Sequence, residues 1–481
     1  MTQPLNIVFV MSDQWRWDII FQEGHVCRTP NLVRFAREGH AFHNAYTAYP
    51  LCTPARGSLF TGKWPYQNNL TDNVDGGSYH PNGRLHLRHK TFLERLRDEA
   101  GYEIAYSGKW HLGQGTLHER RIDNVRASDG GDRAHGSMGR LGPAPTLDGE
   151  TLRFYYGSYS EGTGLDQCRV EMGMEQIEAL AERGGPFCAV ISTSGPHFPH
   201  NIPKRFADMY ADLPDDFMPE NYCEPFVEAN KPDMQSRPYW PCQETRVLTQ
   251  AQWRKICQHY WGFCSHLDEQ FGRVLDKLDE LGLTEDTVVA FCADHGEMLG
   301  GHGKFDKGPD FYQETMHIPM IVRDPQKRKP NTPDGFVSLR DLFPTLVSLA
   351  GAESILSEAE RARSYWATEN DHTFYCYDSY QGREFKLRGI HTARCKYNWS
   401  PHDLCELYDL EADPGERKNL IHETSYRSIR DDLHAKLMAW MESERDYLLC
   451  AEHLPPPGTY LDGRSVEERH DHGVPWPKWR G

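Results

Sequence analysis

The sequence has no excess of basic charge and no long hydrophobic run. Its 481 residues include 53 Lys and Arg against 70 Asp and Glu, which gives a formal net charge of −17. So acidic a chain lacks the basic surface that nucleic acids and anionic membranes attract, and we expect neither as a partner. No run of about 18 apolar residues occurs, so we expect no membrane-spanning helix.

Cysteine spacing and the first residues exclude further classes. The 13 cysteines are scattered without any Cys-x-x-Cys pair, which argues against a zinc ribbon and against a disulfide framework. The first residues carry no basic segment, and the apolar run Ile7–Met11 is too short for the core of a signal peptide. We therefore expect a cytoplasmic protein with reduced thiols. An apolar content of 38% is enough for a substantial folded core.

Three apolar, largely β-branched runs predict strands that are buried on both faces, as in a parallel sheet. These runs are Asn6–Met11, Pro186–Ser192 and Thr287–Ala293. The first leads into Asp13 and Gln14, and the third leads into Asp294 and His295. If these two strands are neighbours, their carboxyl ends meet at one edge of the sheet, and the four side chains can converge on one cation. The alternative is that they are ordinary loop residues.

The stretch from Pro50 to Gly62 predicts a loop that runs into a helix. Thr53 can act as the N-cap, and a proline is tolerated in the first turn that follows. Cys52 would then precede a helix N-terminus, where unpaired N–H groups attract anions. Arg56 could fork onto an anion held there. The alternative is that Cys52 is a small buried hydrophobic residue.

Lys109 and His111 follow a short predicted strand at residues 102–106. If the chain stays extended, a period of two puts both side chains on one face, where an ammonium and an imidazole would suit an anionic group and its leaving group. The alternative is a surface Lys-x-His. His197 and the weaker candidate His200 follow the second buried strand, in a loop that prolines make stiff.

Together these motifs resemble the signatures of the type I sulfatases, within the alkaline phosphatase superfamily. Cys-x-Pro-x-Arg at 52–56 resembles the first signature, and Gly-Lys-Trp-His-x-Gly at 108–113 resembles the second. Pro-His-x-Pro at 196–199 also fits. The stretch 294–308 resembles iduronate-sulfatase-like members, and by position Lys307 rather than Lys304 matches the lysine that holds the substrate sulfate. The resemblance covers residues 5–425.

The resemblance implies that Cys52 is oxidised to formylglycine (3-oxoalanine) by a formylglycine-generating or sulfatase-maturing enzyme. One hydroxyl of the hydrated aldehyde would attack sulfur, and the second would lose its proton to expel sulfate. The implied metal ligands are Asp13, Gln14, Cys52, Asp294 and His295. Their mostly oxygen donors favour Ca²⁺, and His295 makes Mn²⁺ the alternative. Gln14 replaces the usual second Asp, as in choline sulfatases and phosphonate monoester hydrolases.

The resemblance also implies roles for further side chains. The implied catalytic residues are Cys52, Arg56, Lys109, His111, His197 and Lys307. Arg56, Lys109 and Lys307 would hold sulfuryl oxygens, and His197 or His111 would protonate the departing alcohol. Weaker candidates for contact with substrate are Asn73, His200 and His302, because a turn asparagine or a loop histidine is often only structural.

The expected activity is hydrolysis of a sulfate monoester, of a carbohydrate or another small alcohol, to the alcohol and inorganic sulfate. A phosphonate monoester or phosphodiester hydrolase with the same nucleophile is the alternative. The Lys109 and His111 pair favours sulfate, because the phosphonate branch typically lacks it. A non-enzymatic binding protein on a degenerate hydrolase scaffold is a third possibility, against which the full set of reactive residues argues.

The expected fold is α/β, with a large, mostly parallel central sheet flanked by helices, as in alkaline phosphatase. A catalytic domain at 1–370 would carry pocket-forming insertions near 114–165 and 201–245. A smaller subdomain at 371–481 would hold an antiparallel sheet, with strands at 373–378, 388–399 and 406–410, then a helix and a tail. The tail could wrap a neighbouring subunit, so a homo-oligomer is possible. The apolar face at 250–281 predicts one long, core-packed helix.

Overall fold

A seven-stranded sheet forms the centre of the computed structural model. The structure describes residues 4–450 except 75–82, 127–145, 148–149, 152–154, 160–163, 229, 240–242, 329–333 and 366–369. In spatial order the strands are His40–Ala41, Met320–Arg323, Thr287–Ala293, Asn6–Asp13, Phe187–Pro196, Glu103–Gly108 and Asn124–Arg126. The first two are antiparallel to their neighbours and the other five run parallel, which confirms the predicted mixed, mostly parallel sheet.

The strand Asn6–Asp13 lies between the two strands that carry the other site residues. It pairs with Thr287–Ala293 on one side and with Phe187–Pro196 on the other. All eight of its residues are buried, as its apolar composition predicts for a strand covered on both faces. The register sets Ser12 opposite Ala293, so Asp13 and Asp294 emerge side by side at one edge of the sheet. This confirms the predicted adjacency.

Helices cover this sheet. The longer ones are Pro30–Glu38, Cys52–Thr61, Phe92–Ala100, Leu165–Arg183, Gln250–Glu280 and Leu342–Leu349. The short ones are Asp18–Phe21, Pro65–Asn68, Thr116–Glu119, Lys204–Asp208, Gln313–Met316 and Glu358–Ala362. The helix Gln250–Glu280 begins at a capping box formed by Thr249 and Gln252, and its apolar residues are buried against the core, as predicted. No helix within the described ranges is long and apolar enough to cross a membrane.

The C-terminal part forms a second, four-stranded antiparallel sheet. Its strands are His372–Tyr380, Arg383–Thr392, Cys395–Trp399 and Glu406–Asp409, and the helix Arg427–Ser443 packs on it. The single strand predicted at 388–399 is wrong, because the chain turns between Thr392 and Cys395. Thr392 Oγ1 accepts a hydrogen bond from Cys395 N at 3.0 Å and stabilises that turn. The predicted tail beyond residue 450 lies outside the described residues.

The two predicted insertions differ. Part of the first is not an insertion at all, because Asn124–Arg126 pairs with Glu103–Gly108 and extends the central sheet. Within it, Tyr156–Tyr159 pairs with His200–Pro203, at the start of the second. The described remainder of the second holds the helix Lys204–Asp208 and the 3₁₀ turns Asp233–Gln235 and Thr245–Val247, and is otherwise irregular. Most of residues 127–163 lie outside the described ranges.

Candidate active site

Four buried side chains at the carboxyl edge of the central sheet form a group with metal-binding geometry. They are Asp13, Cys52, Asp294 and His295, and one donor atom of each lies within 4.8 Å of all the others. Cys52 Sγ lies 3.2 Å from His295 Nε2 and 3.6 Å from Asp13 Oδ1. The pairing of two strands brings Asp13 beside Asp294, which lies 281 positions later in the chain.

Arg56 holds the two carboxylates of this group in place. Its Nη2 donates to Asp13 Oδ2 at 2.9 Å, and its Nε donates to Asp294 Oδ2 at 2.8 Å. Its Nη1 donates to Lys109 O and Ser192 Oγ, both at 2.9 Å, and the side chain is fully buried. Its guanidinium therefore organises the two carboxylates, and the predicted role of Arg56 in holding sulfuryl oxygens stays a prediction.

The remaining donor atoms fit a divalent cation. With their Oδ2 atoms bound to Arg56, Asp13 and Asp294 turn Oδ1 toward His295 Nε2, at 3.8 Å from each. His295 Nδ1 lies 2.9 Å from Gly296 O, so Nδ1 carries the proton and Nε2 keeps its lone pair. Burial lowers the pKa of His295, which favours this neutral ligand form. Two carboxylates, an imidazole and the Cys52 position make a donor set suited to such an ion.

Lys109 adds a positive charge beside this group. Its Nζ lies 2.7 Å from Asp13 Oδ2. Burial raises the pKa of Asp13, but the charges of Lys109 and Arg56 outweigh it and hold that pKa well below its usual value. Asp13 is therefore a carboxylate, as a metal ligand must be.

The segment that carries Lys109 and His111 is not the extended strand that the period-two argument assumed. The strand ends at Gly108, whose φ is +100°, and His111 has a φ of +57°. An added Cβ at Gly108 would lie 1.8 Å from Ser192 O, so only glycine fits this turn. Both side chains are still buried, and His111 O accepts a hydrogen bond from Thr53 Oγ1.

The helix that carries Cys52 begins two residues earlier than predicted. It spans Cys52–Thr61 with Leu51 as N-cap, so Thr53 is not the cap. The Asn73 side chain takes that role from elsewhere in the chain: its Oδ1 accepts a hydrogen bond from Thr53 N at 3.1 Å. Asn73 is buried beside the nucleophile position, in contrast to the exposed turn asparagine of the alternative reading.

Lys307 and His197 meet at the same edge of the sheet. Lys307 Nζ lies 2.8 Å from His197 Nε2 and donates to Gln14 Oε1 at 2.6 Å. His197 Nδ1 lies 2.6 Å from Phe198 O, which assigns its proton to Nδ1 and leaves Nε2 to accept from Lys307. Burial lowers the pKa of Lys307, but Asp306 together with Cys52, Asp13 and Tyr380 outweighs burial and holds that pKa well above the usual value. Lys307 is therefore a cation.

Gln14 takes part in a network that the sequence interpretation missed. Its φ is +66°, and its Nε2 donates to Glu297 Oε2 and, at 3.2 Å, to Asp306 Oδ1. Burial and the neighbouring Asp306 raise the pKa of Glu297 to about 7. Glu297 directly follows the Asp-His-Gly motif, and Asp306 directly precedes Lys307. Their closeness in sequence to these motif residues is the signal that could have identified both acids. Ligation by Gln14 stays a prediction.

Two weaker candidates lie apart from this group. His200 is fully buried and packs against the rings of Tyr260 and Phe305. The His302 ring stacks on Tyr312 with centroids 3.7 Å apart, and its Nδ1 lies 2.8 Å from Glu228 Oε2. Both histidines are held by protein neighbours, and His302 also lines a cleft, so the predicted contacts of His200 and His302 with substrate stay predictions.

Comparison with known proteins gives the family. The family model described as Sulfatase matches residues 5–352, and the model described as N-sulphoglucosamine sulphohydrolase, C-terminal, matches residues 300–443. The first covers well over half of the 481 residues. The chain therefore belongs to the sulfatase family. It is a sulfuric ester hydrolase, in a family that generally uses formylglycine and a divalent metal.

Individual relatives agree with this assignment. An arylsulfatase of Clostridium perfringens is 28% identical over 486 residues, which cover 92% of this chain and 95% of that protein. The human iduronate 2-sulfatase is 28% identical, with 73% of this chain and 70% of that protein covered. The crystal structure of the phosphonate monoester hydrolase of Agrobacterium radiobacter has a TM-score of 0.71 at 21% identity, covering 94% and 99% of the two chains, and shows the shared fold.

Proposed function

We propose that this enzyme hydrolyses a sulfate monoester of a carbohydrate, with formylglycine made from Cys52 as the nucleophile. The observation that supports this most directly is the buried group in which Cys52 Sγ lies beside Asp13 and His295. When present, the hydrated aldehyde supplies one hydroxyl to attack sulfur and a second whose deprotonation releases sulfate. A thiol at this position would lack the second hydroxyl, so conversion of Cys52 is required.

The proposed cation is Ca²⁺, held by Asp13, Asp294, His295 and the residue-52 oxygen, with Gln14 as a further candidate. It would act as a Lewis acid that neutralises developing charge. The two carboxylates support a hard cation, and His295 leaves Mn²⁺ as the alternative. After dialysis against a chelator, we expect Ca²⁺ to restore more activity than Mn²⁺ at equal free concentration. Greater recovery with Mn²⁺ would overturn the choice of metal.

Lys109 and Lys307 are the proposed partners of the sulfuryl oxygens, since both are buried cations at the edge where Cys52 lies. His197 is the proposed acid. Its Nδ1 is bound to Phe198 O, so Nε2 is the atom from which the protonated imidazolium would give a proton to the departing alcohol oxygen. Arg56 keeps Asp13 and its partner carboxylate in register.

A cleft next to Lys307 supports a sugar substrate. Its lining includes Arg237, Tyr239, Lys304 and Lys307, together with Asp310, which pairs with Lys304 at 3.1 Å. In a chain with a net charge of −17, this concentration of cations suits an anionic ligand, and Tyr239 offers an amphipathic ring. The similarity to iduronate 2-sulfatase, whose name specifies a sulfated sugar acid, points the same way.

The test compares protein produced with and without a formylglycine-generating enzyme. We expect the peptide that contains Cys52 to become lighter by about 18 Da when that enzyme is present, with hydrolysis of an aryl sulfate appearing in step. Conversion without any turnover of sulfate esters, sulfated monosaccharides included, would overturn the proposed function.

Phosphonate or phosphodiester hydrolysis is the second candidate, because Gln14 stands in place of the usual second Asp and the phosphonate monoester hydrolase shares the fold. A comparison of kcat/KM for matched aryl sulfate and aryl phosphonate separates the two. We expect the sulfate to be preferred. A preference for the phosphonate by orders of magnitude would reverse the assignment.

A further inference from the structure

Asp306 is the centre of a buried network that reaches two site residues and two remote segments. It is 1% exposed. Its Oδ1 lies 3.1 Å from Lys307 Nζ and accepts a hydrogen bond from Gln14 Nε2 at 3.2 Å. Its Oδ2 accepts from Gln243 Nε2 at 3.1 Å and from Tyr380 Oη at 3.4 Å. None of these four partners of Asp306 belongs to the metal-binding group of Asp13, Cys52, Asp294 and His295.

The network fixes the Gln14 amide in one orientation. The amide nitrogen faces the carboxylates of Glu297 and Asp306, and the amide oxygen faces the Lys307 ammonium. A flipped amide would turn its oxygen toward two carboxylates and its N–H groups toward a cation, so both sides oppose the flip. An aspartate at position 14 would place a third carboxylate against these two. Glutamine at this position therefore follows from the two acids behind it.

The remote partners come from two different parts of the chain. Gln243 lies at the end of the second insertion, and its Nε2 also donates to Lys307 O at 2.6 Å. Tyr380 ends the first strand of the C-terminal sheet. Asp306 has a φ of +72°, so its own backbone is held in the left-handed region where the side chain can face all these groups.

We propose that Asp306 is a positioning residue that aims Lys307 at the reacting group and couples the geometry of Lys307 to Gln14, the second insertion and the C-terminal sheet. The proposal rests on the proposed function only in that Lys307 is taken to bind the sulfuryl oxygens. Asp306 itself does not touch substrate. It acts through Lys307, so its removal should matter only while Lys307 is present.

A double-mutant cycle tests this. Asp306→Asn and Lys307→Ala are made singly and together in converted enzyme, and kcat and KM are measured with an aryl sulfate. We expect Asp306→Asn to lower kcat/KM about tenfold or more, mainly through kcat, and to lower it by no more than about twofold in the Lys307→Ala background. Equal effects in both backgrounds would overturn the proposal.

A binding readout separates this outcome from failure of the proposed function. In Cys52→Ser protein, which needs no turnover, the affinity for inorganic sulfate is measured from the rise in Tm with sulfate concentration. We expect Asp306→Asn to weaken sulfate about as much as Lys307→Ala does, and the double variant no further. Unchanged sulfate affinity in Asp306→Asn would contradict the proposal whatever the wild-type enzyme hydrolyses.

Two variants guard against simple misfolding. Gln243→Met removes the donors to Asp306 Oδ2 and Lys307 O without altering a charge, and we expect a smaller loss of kcat/KM, about threefold, that also disappears in the Lys307→Ala background. Asp268→Asn changes a buried aspartate that instead holds the backbone at Asn31 and Leu32. We expect it to keep turnover per folded molecule. A loss equal to that of Asp306→Asn would show a general effect of buried charge and overturn the proposal.

Discussion

Two fully buried arginines each bind a pair of buried aspartates. One of these triads lies at the edge of the central sheet and the other lies at the C-terminal sheet. In the central sheet Arg56 joins Asp13 to Asp294. The central triad joins three segments that are distant in sequence, whereas Arg388 and Asp378 lie on neighbouring strands of one hairpin and only Asp446 comes from further along the chain. A buried ion pair of this kind contributes little net stability, but removal of one partner leaves an uncompensated charge.

The C-terminal counterpart, formed by Arg388, Asp378 and Asp446, is a closed triad in the sense that further protein groups donate to its carboxylates. Arg388 binds Asp378 at 3.0 Å and also binds Asp446, while Tyr447 Oη donates to Asp378 at 2.6 Å and Leu448 N donates to Asp446. The central triad instead leaves one oxygen of each carboxylate facing the thiol of residue 52 and an imidazole. A buried arginine triad is therefore a structural unit in both places. Its function depends on which groups face the carboxylate oxygens that the arginine does not bind.

Replacement of the nucleophile should have the largest effect. We expect Cys52→Ala to lower turnover of an aryl sulfate by about a thousandfold or more, because no other group in the buried cluster can form the covalent intermediate. Cys376→Ala is the matched control, since Cys376 is equally buried but lies near the closed triad. It should keep turnover per folded molecule. Substantial activity in Cys52→Ala would show that the nucleophile is misassigned.

The two arginines give the direct test of the comparison. We expect Arg56→Met and Arg388→Met each to lower the free energy of unfolding by about 3–5 kcal/mol, because each takes a buried counter-charge away from two buried carboxylates, even though Lys109 remains beside Asp13. Only Arg56→Met should also abolish turnover per folded molecule. Urea unfolding and kcat, corrected for the folded fraction, measure the two effects. Equal losses of kcat in both variants would remove the distinction between the triads.

Acid pH should destabilise the protein through its buried histidines. Burial lowers the pKa of His200 and His317 to about 3, and the pKa of His259 and His266 to about 4. The unfolded chain binds these protons near pH 6.5 while the folded chain does not, so stability is fully present above that pH and falls as the pH drops toward these values. Each histidine costs about 1.4 kcal/mol per pH unit in that window.

Thermal unfolding between pH 7 and pH 4.5 measures this effect. His317→Gln removes one histidine that contacts His43 O and stacks on Tyr46, and it should flatten the fall in Tm relative to wild type. A slope that is unchanged in this variant would contradict the assignment of His317 as a buried neutral group.

Asn73 should give the smallest effect. Asn73→Ala removes the acceptor for Thr53 N, and we expect a loss of about 1 kcal/mol in stability, as for other caps, together with a few-fold loss of kcat because the helix start holds residue 52. Thr91→Ala is the control, since it removes the capping box of the helix Phe92–Ala100. Its stability loss should be similar, with kcat unchanged. An equal loss of kcat in both variants would show that the Asn73 effect is not local.

Much of the fold was predictable because the apolar runs are long and because residues suited to metal binding follow directly after the strands. The run Asn6–Met11 and the run Thr287–Ala293 have the composition of doubly covered strands, and their pairing follows from that pattern. The helix Gln250–Glu280 was predictable because its apolar period is sustained over many turns. These features depend on local pattern alone.

The parts that could not be predicted depend on contacts between distant residues. Arg56 was assigned to an anion because nothing local shows that two carboxylates lie opposite it in the fold. Thr53 has the right residue type for an N-cap, but Leu51 occupies that position and the Asn73 side chain supplies the acceptor for Thr53 N, which only tertiary structure could reveal. Asp306 carries no motif of its own, since its importance comes from the four side chains that it meets.

The thiol of Cys52 is 1% exposed, and every residue of its helix is buried. A macromolecular catalyst cannot reach such an atom in the finished protein. Moreover, the strand that begins at Thr287 must leave the ribosome before the pocket around Cys52 can close. An enzyme that oxidises this side chain therefore has to work on the nascent or still unfolded polypeptide, and the speed of folding sets the time that it has to do so.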